Sequence, residues 1–234
     1  MDTGPTNRRY AIGDIHGCLQ TLRQLLENKI KIEKTDCLYF LGDYIDRGPD
    51  SPGVLDYLIG LKKKGHRLET LRGNHEENLL KAQAGYDPET FRHYVIKLCK
   101  SPGLLDNNLK IKKKYRVFFA KMPYYIELDD YFLVHAGFDF NKPNPFKNQE
   151  AMLEMRNPTA NNQFLKNKTL VHGHQPAYLN KIKKAVREKN QVIPLDNGCV
   201  YTKPHKIYDY TQLGNLCCLN LDTQELVIQK NVDT

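Results

Sequence analysis

Tryptophan is absent from the 234 residues and methionine occurs only four times. No stretch approaches the roughly 18 consecutive apolar residues that a membrane-spanning helix requires, which argues against an integral membrane protein. The polar segment Met1–Arg9 has no apolar stretch behind it and shows no secretory leader pattern, so the expectation is a soluble, cytoplasmic chain. Cys-x-x-Cys pairs are missing too. Cys18, Cys37, Cys99, Cys199, Cys217 and Cys218 sit mainly inside apolar segments, where a reduced thiol packs as a small hydrophobe and a reducing compartment suits it. Negative charge is in short supply: 35 Lys and Arg face 27 Asp and Glu, for a net charge of +8. That surplus is compatible with a nucleic acid, an acidic lipid or a phosphorylated partner, and equally with solubility alone.

What the chain does have is apolar and aromatic content for a core, 40% hydrophobic residues with 14 Tyr and 9 Phe. Its length suits one domain over residues 1–234. Arg9-Tyr10-Ala11-Ile12 reads as a strand ending at Gly13-Asp14, and Leu19, Leu22, Leu25 and Leu26 then recur at helical spacing up to about Lys29. Cys37–Leu41 is an apolar run stopped by Gly42, and Ser51-Pro52 opens a helix carrying Val54, Leu55, Leu58, Ile59 and Leu61. A third strand, Arg67–Leu71, closes at Gly73. Strands alternating with amphipathic helices predict βαβ units and a sheet covered by helices on both sides. From Glu76 to about Ala120 the pattern is helical (Leu79, Leu80, Phe91, Tyr94, Val95, Leu98, then Tyr115, Val117, Phe118, Phe119), interrupted at Ser101-Pro102-Gly103. Strands resume at Tyr124–Leu128 and Tyr131–Val134, joined by a turn at Asp129-Asp130. Further strands are predicted at Thr169–Val171, Gln191–Leu195, Leu216–Leu221 and Leu226–Gln229. The lysine runs at 62–64, 112–114 and 181–184 read as solvated faces rather than nucleic-acid patches.

Five segments share one grammar, an apolar run followed at once by metal-capable side chains: YAIGDIHG (10–17), LYFLGDYIDRG (38–48), LETLRGNHE (68–76), FLVHAG (132–137) and TLVHGH (169–174). In open α/β sheets the carboxyl ends of the strands form a common edge. Asp14, His16, Asp43, Asn74, His75, His135 and His174 would then line one crevice. Carboxylate, imidazole and amide oxygen suit Mn, Fe or Zn, and no thiolate is among them. Such a set is too large for one four-coordinate ion. Two ions about 3.5 to 4 Å apart, sharing a carboxylate and a bridging hydroxide, fit it better. Taken singly each segment has a plainer reading: Asp-x-His after a strand is an ordinary turn, and His135 alone is a hydrogen-bonded core histidine. Together, in order, the five are hard to explain as turns.

Gly13-Asp14-Ile15-His16-Gly17, Gly42-Asp43-Tyr44-Ile45-Asp46-Arg47-Gly48 and Gly73-Asn74-His75-Glu76, followed by His135-Ala136-Gly137 and Gly173-His174, closely resemble the signatures of the PPP-type metallophosphoesterases of the calcineurin-like superfamily. The nearest likeness is to compact bacterial and phage serine/threonine protein phosphatases and to symmetrical diadenosine tetraphosphatases. It spans about residues 9–230 and takes in the run Pro194–Tyr201. The resemblance implies an α/β fold, a central β-sandwich of mixed sheets flanked by helices, with a helical excursion around residues 76–120. It also implies two divalent ions, manganese before iron or zinc. Asp14, His16 and Asp43 would hold the first, and Asp43, Asn74, His135 and His174 the second, with Asp43 bridging. His172 stays open between ligand and supporting residue, because an aligned strand points residues two apart to the same side.

Phosphate ester hydrolysis then assigns roles by resemblance and chemistry. Arg47 and Arg156 are candidates to clamp phosphoryl oxygens, a planar guanidinium binding two at once, with Asn74 beside them. Arg156, from Met152–Arg156, only loosely matches the family's second arginine, and a surface salt bridge is its plainer reading. His75 is the candidate general acid, and Asp46 accepts its other ring proton. The expected activity is a phosphoprotein phosphatase acting on phosphoserine or phosphothreonine in proteins or peptides. The alternative is a hydrolase of dinucleoside polyphosphates such as diadenosine tetraphosphate, and a remote third reading is a basic nucleic-acid-binding module.

Overall fold

Two sheets laid face to face make up the centre of the computed structural model, which describes residues 7–204 and 207–233. Residues 1–6 of the polar N-terminal segment lie outside the described residues. Strands β1 (Arg9–Ile12), β2 (Cys37–Phe40) and β3 (Arg67–Thr70) run parallel in the first sheet. The second sheet is β4 (Tyr125–Glu127), β5 (Tyr131–Val134), β6 (Thr169–His172) and β7 (Val192–Pro194) in that order, antiparallel at β4–β5 and parallel beyond. The chain then returns to the first sheet as β8 (Asp196–Asn197), β9 (Asn215–Asn220) and β10 (Leu226–Lys230), giving the order β10-β9-β1-β2-β3. β8 pairs with β9 through Asp196–Leu216, just past the point where β1 leaves it at Ile12–Cys218. Asp196 is thereby carried to the end of β1.

Side-chain alternation decides which face each sheet buries. Tyr10 and Ile12 of β1 join Leu22, Leu25, Val54 and Leu58 in a core on the helix side. Ala11, between them, joins Leu133, Val171, Ile193, Cys217 and Leu219 between the two sheets. The first sheet is therefore covered by helices on one face only, and the second sheet takes the place of the helical layer that strand–helix alternation predicts for the other. Phe132, Val134 and Leu170, on the far face of the second sheet, pack with Phe138, Met152 and Leu165. A β-sandwich of mixed sheets flanked by helices is the result.

The helices begin where the sequence signals place them. α1 (Leu19–Arg23) widens into a π turn over Gln24–Ile30. α2 (Ser51–Lys63) starts at Asp50, whose carboxylate accepts from Gly53 N–H at 2.8 Å, with Pro52 in its first turn. α3 (Asn74–Gly85), α4 (Pro88–His93) and α5 (Lys113–Ala120) form the helical excursion, broken by a tight turn at Pro102–Leu104. Two apolar positions of that pattern face outward, Leu98 at 69% exposure and Val117 at 46%. α6 (Gln149–Glu154) and α7 (Asn162–Leu165) lie in the long connection before β6, and α8 (Leu179–Arg187) follows it. No helix among the described residues is long and apolar enough to cross a membrane, and the six cysteines are free thiols.

Candidate metal centre

The loops that follow β1, β2, β3, β5 and β6 are tied to one another by their backbones. The amides of Ile15 and His16 donate to the carbonyl of Asp43 at 3.1 and 2.9 Å, and that of Gly173 donates to the carbonyl of His135 at 2.8 Å. The His174 amide reaches both oxygens of Asp14, at 3.2 and 3.0 Å. Glu76, fully buried in the first turn of α3, binds three further loop amides besides the one that opens its own helix. Its carboxylate accepts from the N–H of Asp43 (3.1 Å), Tyr44 (2.9 Å), Ile45 (3.3 Å) and Gly73 (3.1 Å). Burial pushes the pKa of this acid up, to about 8, while the amide of Tyr44 pulls the other way.

This tight knit has a conformational cost. His16 (φ 47°), Asp43 (φ 51°), Asp46 (φ 70°), Arg47 (φ 66°) and His174 (φ 65°) all sit in left-handed backbone, which non-glycine residues normally avoid. Strain of this kind gathers where the surroundings over-determine a side chain's direction, as they do at functional sites. Close approach adds a second constraint: a Cβ on Gly73 would stand 2.2 Å from Asp43 Oδ1, and one on Gly173 2.1 Å from Asp14 Oδ1.

Two clusters of donor atoms result, sharing Asp43. On one side Asp43 Oδ2 lies 3.5 Å from His16 Nε2 and 3.9 Å from His75 Nε2; on the other, Oδ1 lies 3.4 Å from His135 Nε2. His16, Asp43 and His75 form one possible ligand group, and Asp43, His135 and His174 the other. The first differs from the implied set, with His75 in the place of Asp14, whose oxygens are taken by the His174 amide. Backbone carbonyls fix two of the rings. His16 Nδ1 donates to Ile45 O and His135 Nδ1 to Leu41 O, each at 2.9 Å, which leaves Nε2 of both as an acceptor on the Asp43 side. Asn74 completes the second cluster, its amide 3.0 Å from His135 Nε2 and 3.3 Å from His174 Nδ1. With nitrogen inward the amide donates to those rings and to Asp43; with oxygen inward it adds one more lone pair to the cluster, the orientation a cation calls for.

The electrostatics of this edge suit added positive charge. Burial, then the carboxylates of Asp196 and Asp43, push Asp14 well above the usual carboxylate range, and burial raises Asp196 to about 7. Burial also works to raise Asp43, but His135, His75, His16 and Arg47 together hold it below the usual range. Burial lowers the pKa of His16, His135 and His174, the last to about 4. Neutral imidazoles with lone pairs turned toward a buried carboxylate are a divalent-ion donor set. Arg47 offers a positive charge there already: its Nη1 is 2.6 Å from His16 Nε2. The residues therefore fit two divalent ions.

The remaining candidates are placed as follows. His75 Nδ1 is 2.6 Å from Asp46 Oδ2. Burial works to lower the pKa of His75, but the carboxylates of Asp43 and Asp46 outweigh it and raise it. Arg156 is exposed, and its charge is close enough to depress His174. His172 belongs to neither cluster. The strand ends at His172 and His174 has turned to φ 65°, so the two-residue rule no longer aligns them. The lysines of the three runs lie on exposed or half-exposed surface. Two residues that sequence reasoning left without a role enter the site. Glu76 carried a signal, a Glu in the third helical position after a strand-ending Gly; Asp196 carried only its place between Leu195 and Asn197.

The calcineurin-like phosphoesterase family model matches residues 8–215. Among curated relatives, the symmetrical bis(5'-nucleosyl)-tetraphosphatase of Legionella pneumophila is 46% identical over 112 residues, 41% of each chain. That of Buchnera aphidicola is 40% identical over 97 residues, 42% of this chain and 34% of the relative. The chain thus matches well under half the length of these relatives. Among solved structures, one provisionally assigned as a diadenosine tetraphosphatase has a TM-score of 0.67 at 22% identity, covering 99% of this chain and 96% of its own. A protein serine/threonine phosphatase of Saccharomyces cerevisiae has a TM-score of 0.61 at 18% identity, covering 100% and 82%. At those identities the likeness is one of fold.

Replacing Glu76 by Gln leaves one acceptor oxygen and turns an NH2 toward amide donors. The expected outcome is a loss of about 2 to 4 kcal/mol in urea unfolding together with lower metal content after dialysis against manganese. Wild-type stability and metal content in this variant would show that Glu76 does not hold the loops.

Proposed function

The chain belongs to the calcineurin-like phosphoesterase family, and from that premise we propose that it acts as a single catalytic domain hydrolysing dinucleoside polyphosphates on two divalent ions. The observation that carries the hydrolytic reading is Asp43, buried with one oxygen toward His16 and the other toward His135. The substrate reading draws on the curated relatives, which are named as symmetrical tetraphosphatases. Their names weigh toward the dinucleotide over the phosphoprotein expected first from the compact sequence.

When bound, the two ions lower the pKa of a water toward neutrality and offset phosphoryl charge; the donor chemistry suits manganese, iron or zinc. Asp14, His16 and Asp43 would hold one ion, and Asp43, Asn74, His135 and His174 the other. The Asp14 oxygens that accept the His174 amide keep further lone pairs for a cation. Arg47, whose Nη1 lies 2.6 Å from His16 Nε2, carries the guanidinium that would bind two phosphoryl oxygens. Arg156, exposed near His174, approaches the same phosphates from the other cluster. His75 keeps Nδ1–H on Asp46 and holds a proton at Nε2, which faces the site and passes to the leaving oxygen. Its raised pKa keeps more of the protonated form near neutral pH.

His75→Asn is expected to lower turnover by about 10²- to 10⁴-fold while metal content stays near two ions per chain; activity equal to wild type would remove the acid assignment. Incubation of the manganese-loaded protein with diadenosine tetraphosphate and, separately, a phosphothreonine peptide tests the substrate. ADP as the main product of the first is expected. Rapid phosphate release from the peptide with no ADP from the dinucleotide would reinstate the phosphatase reading.

A further inference from the structure

His172 is the imidazole of the strand-end motifs that both donor clusters leave out. It is 5% exposed, and its Nδ1 is 3.0 Å from the carbonyl of Gly173, so Nδ1 carries the proton and Nε2 is an acceptor. Among the described residues Nε2 has no hydrogen-bond partner. The ring lines a cavity of about 330 Å³ whose other walls include Pro158, Pro176 and Pro194. Asn157 and Gln175 form a further wall and are locked together: the Asn157 amide donates to Gln175 Oε1 at 2.8 Å, and Gln175 Nε2 to Asn157 Oδ1 at 3.3 Å. Asn157 directly follows Arg156, and Gln175 directly follows His174. Two wall residues of the cavity are therefore the sequence neighbours of Arg156 and His174.

A concave space with apolar walls and a few fixed polar groups is the usual form of a small-molecule seat, and this one is at the small end of the range. Its size admits one base and sugar, not a whole dinucleotide. Proline rings offer flat apolar contact to a planar base. At the purine 6-position, Nε2 of His172 can accept from an amine and has nothing to donate to a carbonyl. A phosphopeptide has no planar group that calls for such a slot.

We propose that this cavity seats one nucleobase of the substrate, a 6-aminopurine whose exocyclic amine donates to His172 Nε2, with its phosphates passing Arg156 to the metal edge. The proposal rests on the dinucleoside polyphosphate reading but is tested apart from it. Calorimetry on the manganese-loaded protein compares ADP, GDP and inorganic pyrophosphate for wild type, His172→Ala and Thr159→Trp. Thr159 is an exposed residue of the cavity rim, so tryptophan there fills the space without disturbing buried His172.

Wild type is expected to bind ADP about tenfold more tightly than pyrophosphate or GDP, the scale of one well-placed hydrogen bond with its packing. Both variants should bind ADP no better than pyrophosphate, with pyrophosphate affinity unchanged. Wild-type ADP affinity retained in Thr159→Trp, or no ADP preference in wild type, overturns the proposal even if diadenosine tetraphosphate is hydrolysed. An ADP preference that both variants lose, in a protein that does not cleave the dinucleotide, supports the seat and sinks the substrate reading alone.

Discussion

The buried carboxylate of Asp43 sets the terms for the rest of the molecule. A charge placed between two sets of imidazoles, out of water, is costly unless donors and cations surround it closely. One backbone donor reaches the carboxylate directly, and other backbone bonds fix the loop that carries it. Glu76 grips the amide of Asp43 itself, and the His75 amide donates to its Oδ1 at 3.1 Å. Left-handed backbone at Asp43, Asp46 and Arg47 turns three successive functional side chains of one short loop toward the same place. The two sheets serve the same end: Leu41 at the end of the first supplies the carbonyl that orients His135 at the end of the second. Packing of Ala11 against Leu133 and Val171 holds those strand ends in register.

Much of this was legible in the sequence because metal-ligand chemistry is local. The five strand-end segments name their residues, and the His75–Asp46 contact appears at 2.6 Å where the motif implies it. The second sheet was harder to see. A strand followed by a helix reads the same whether its other face meets a helix or a sheet, and only the side-chain register of Ala11 against Tyr10 and Ile12 tells them apart. His172 and His174 could not be separated by periodicity, because the period ends with the strand. The motif implies Asp14 as a ligand, but nothing local announces that its carboxylate also accepts the His174 amide. Long-range hydrogen bonds of that kind, joining residues 160 positions apart, leave no local trace.

The net charge of +8 now divides into two parts. The lysine runs spread over solvated surface, whereas Arg47 lies against His16. Burial raises both acids at the metal edge, Asp14 and Asp196, and neighbouring carboxylates add to it. Divalent cations held there would offset that negative charge.

The central claim is that Asp43 bridges two ions. Electron paramagnetic resonance of the protein titrated with manganese tests it most directly, because two ions joined through a carboxylate couple their spins. The account predicts saturation near two manganese per chain with a spin-coupled multiline signal, lost in Asp43→Asn. Saturation at one ion with an uncoupled six-line signal in the wild-type protein would contradict it.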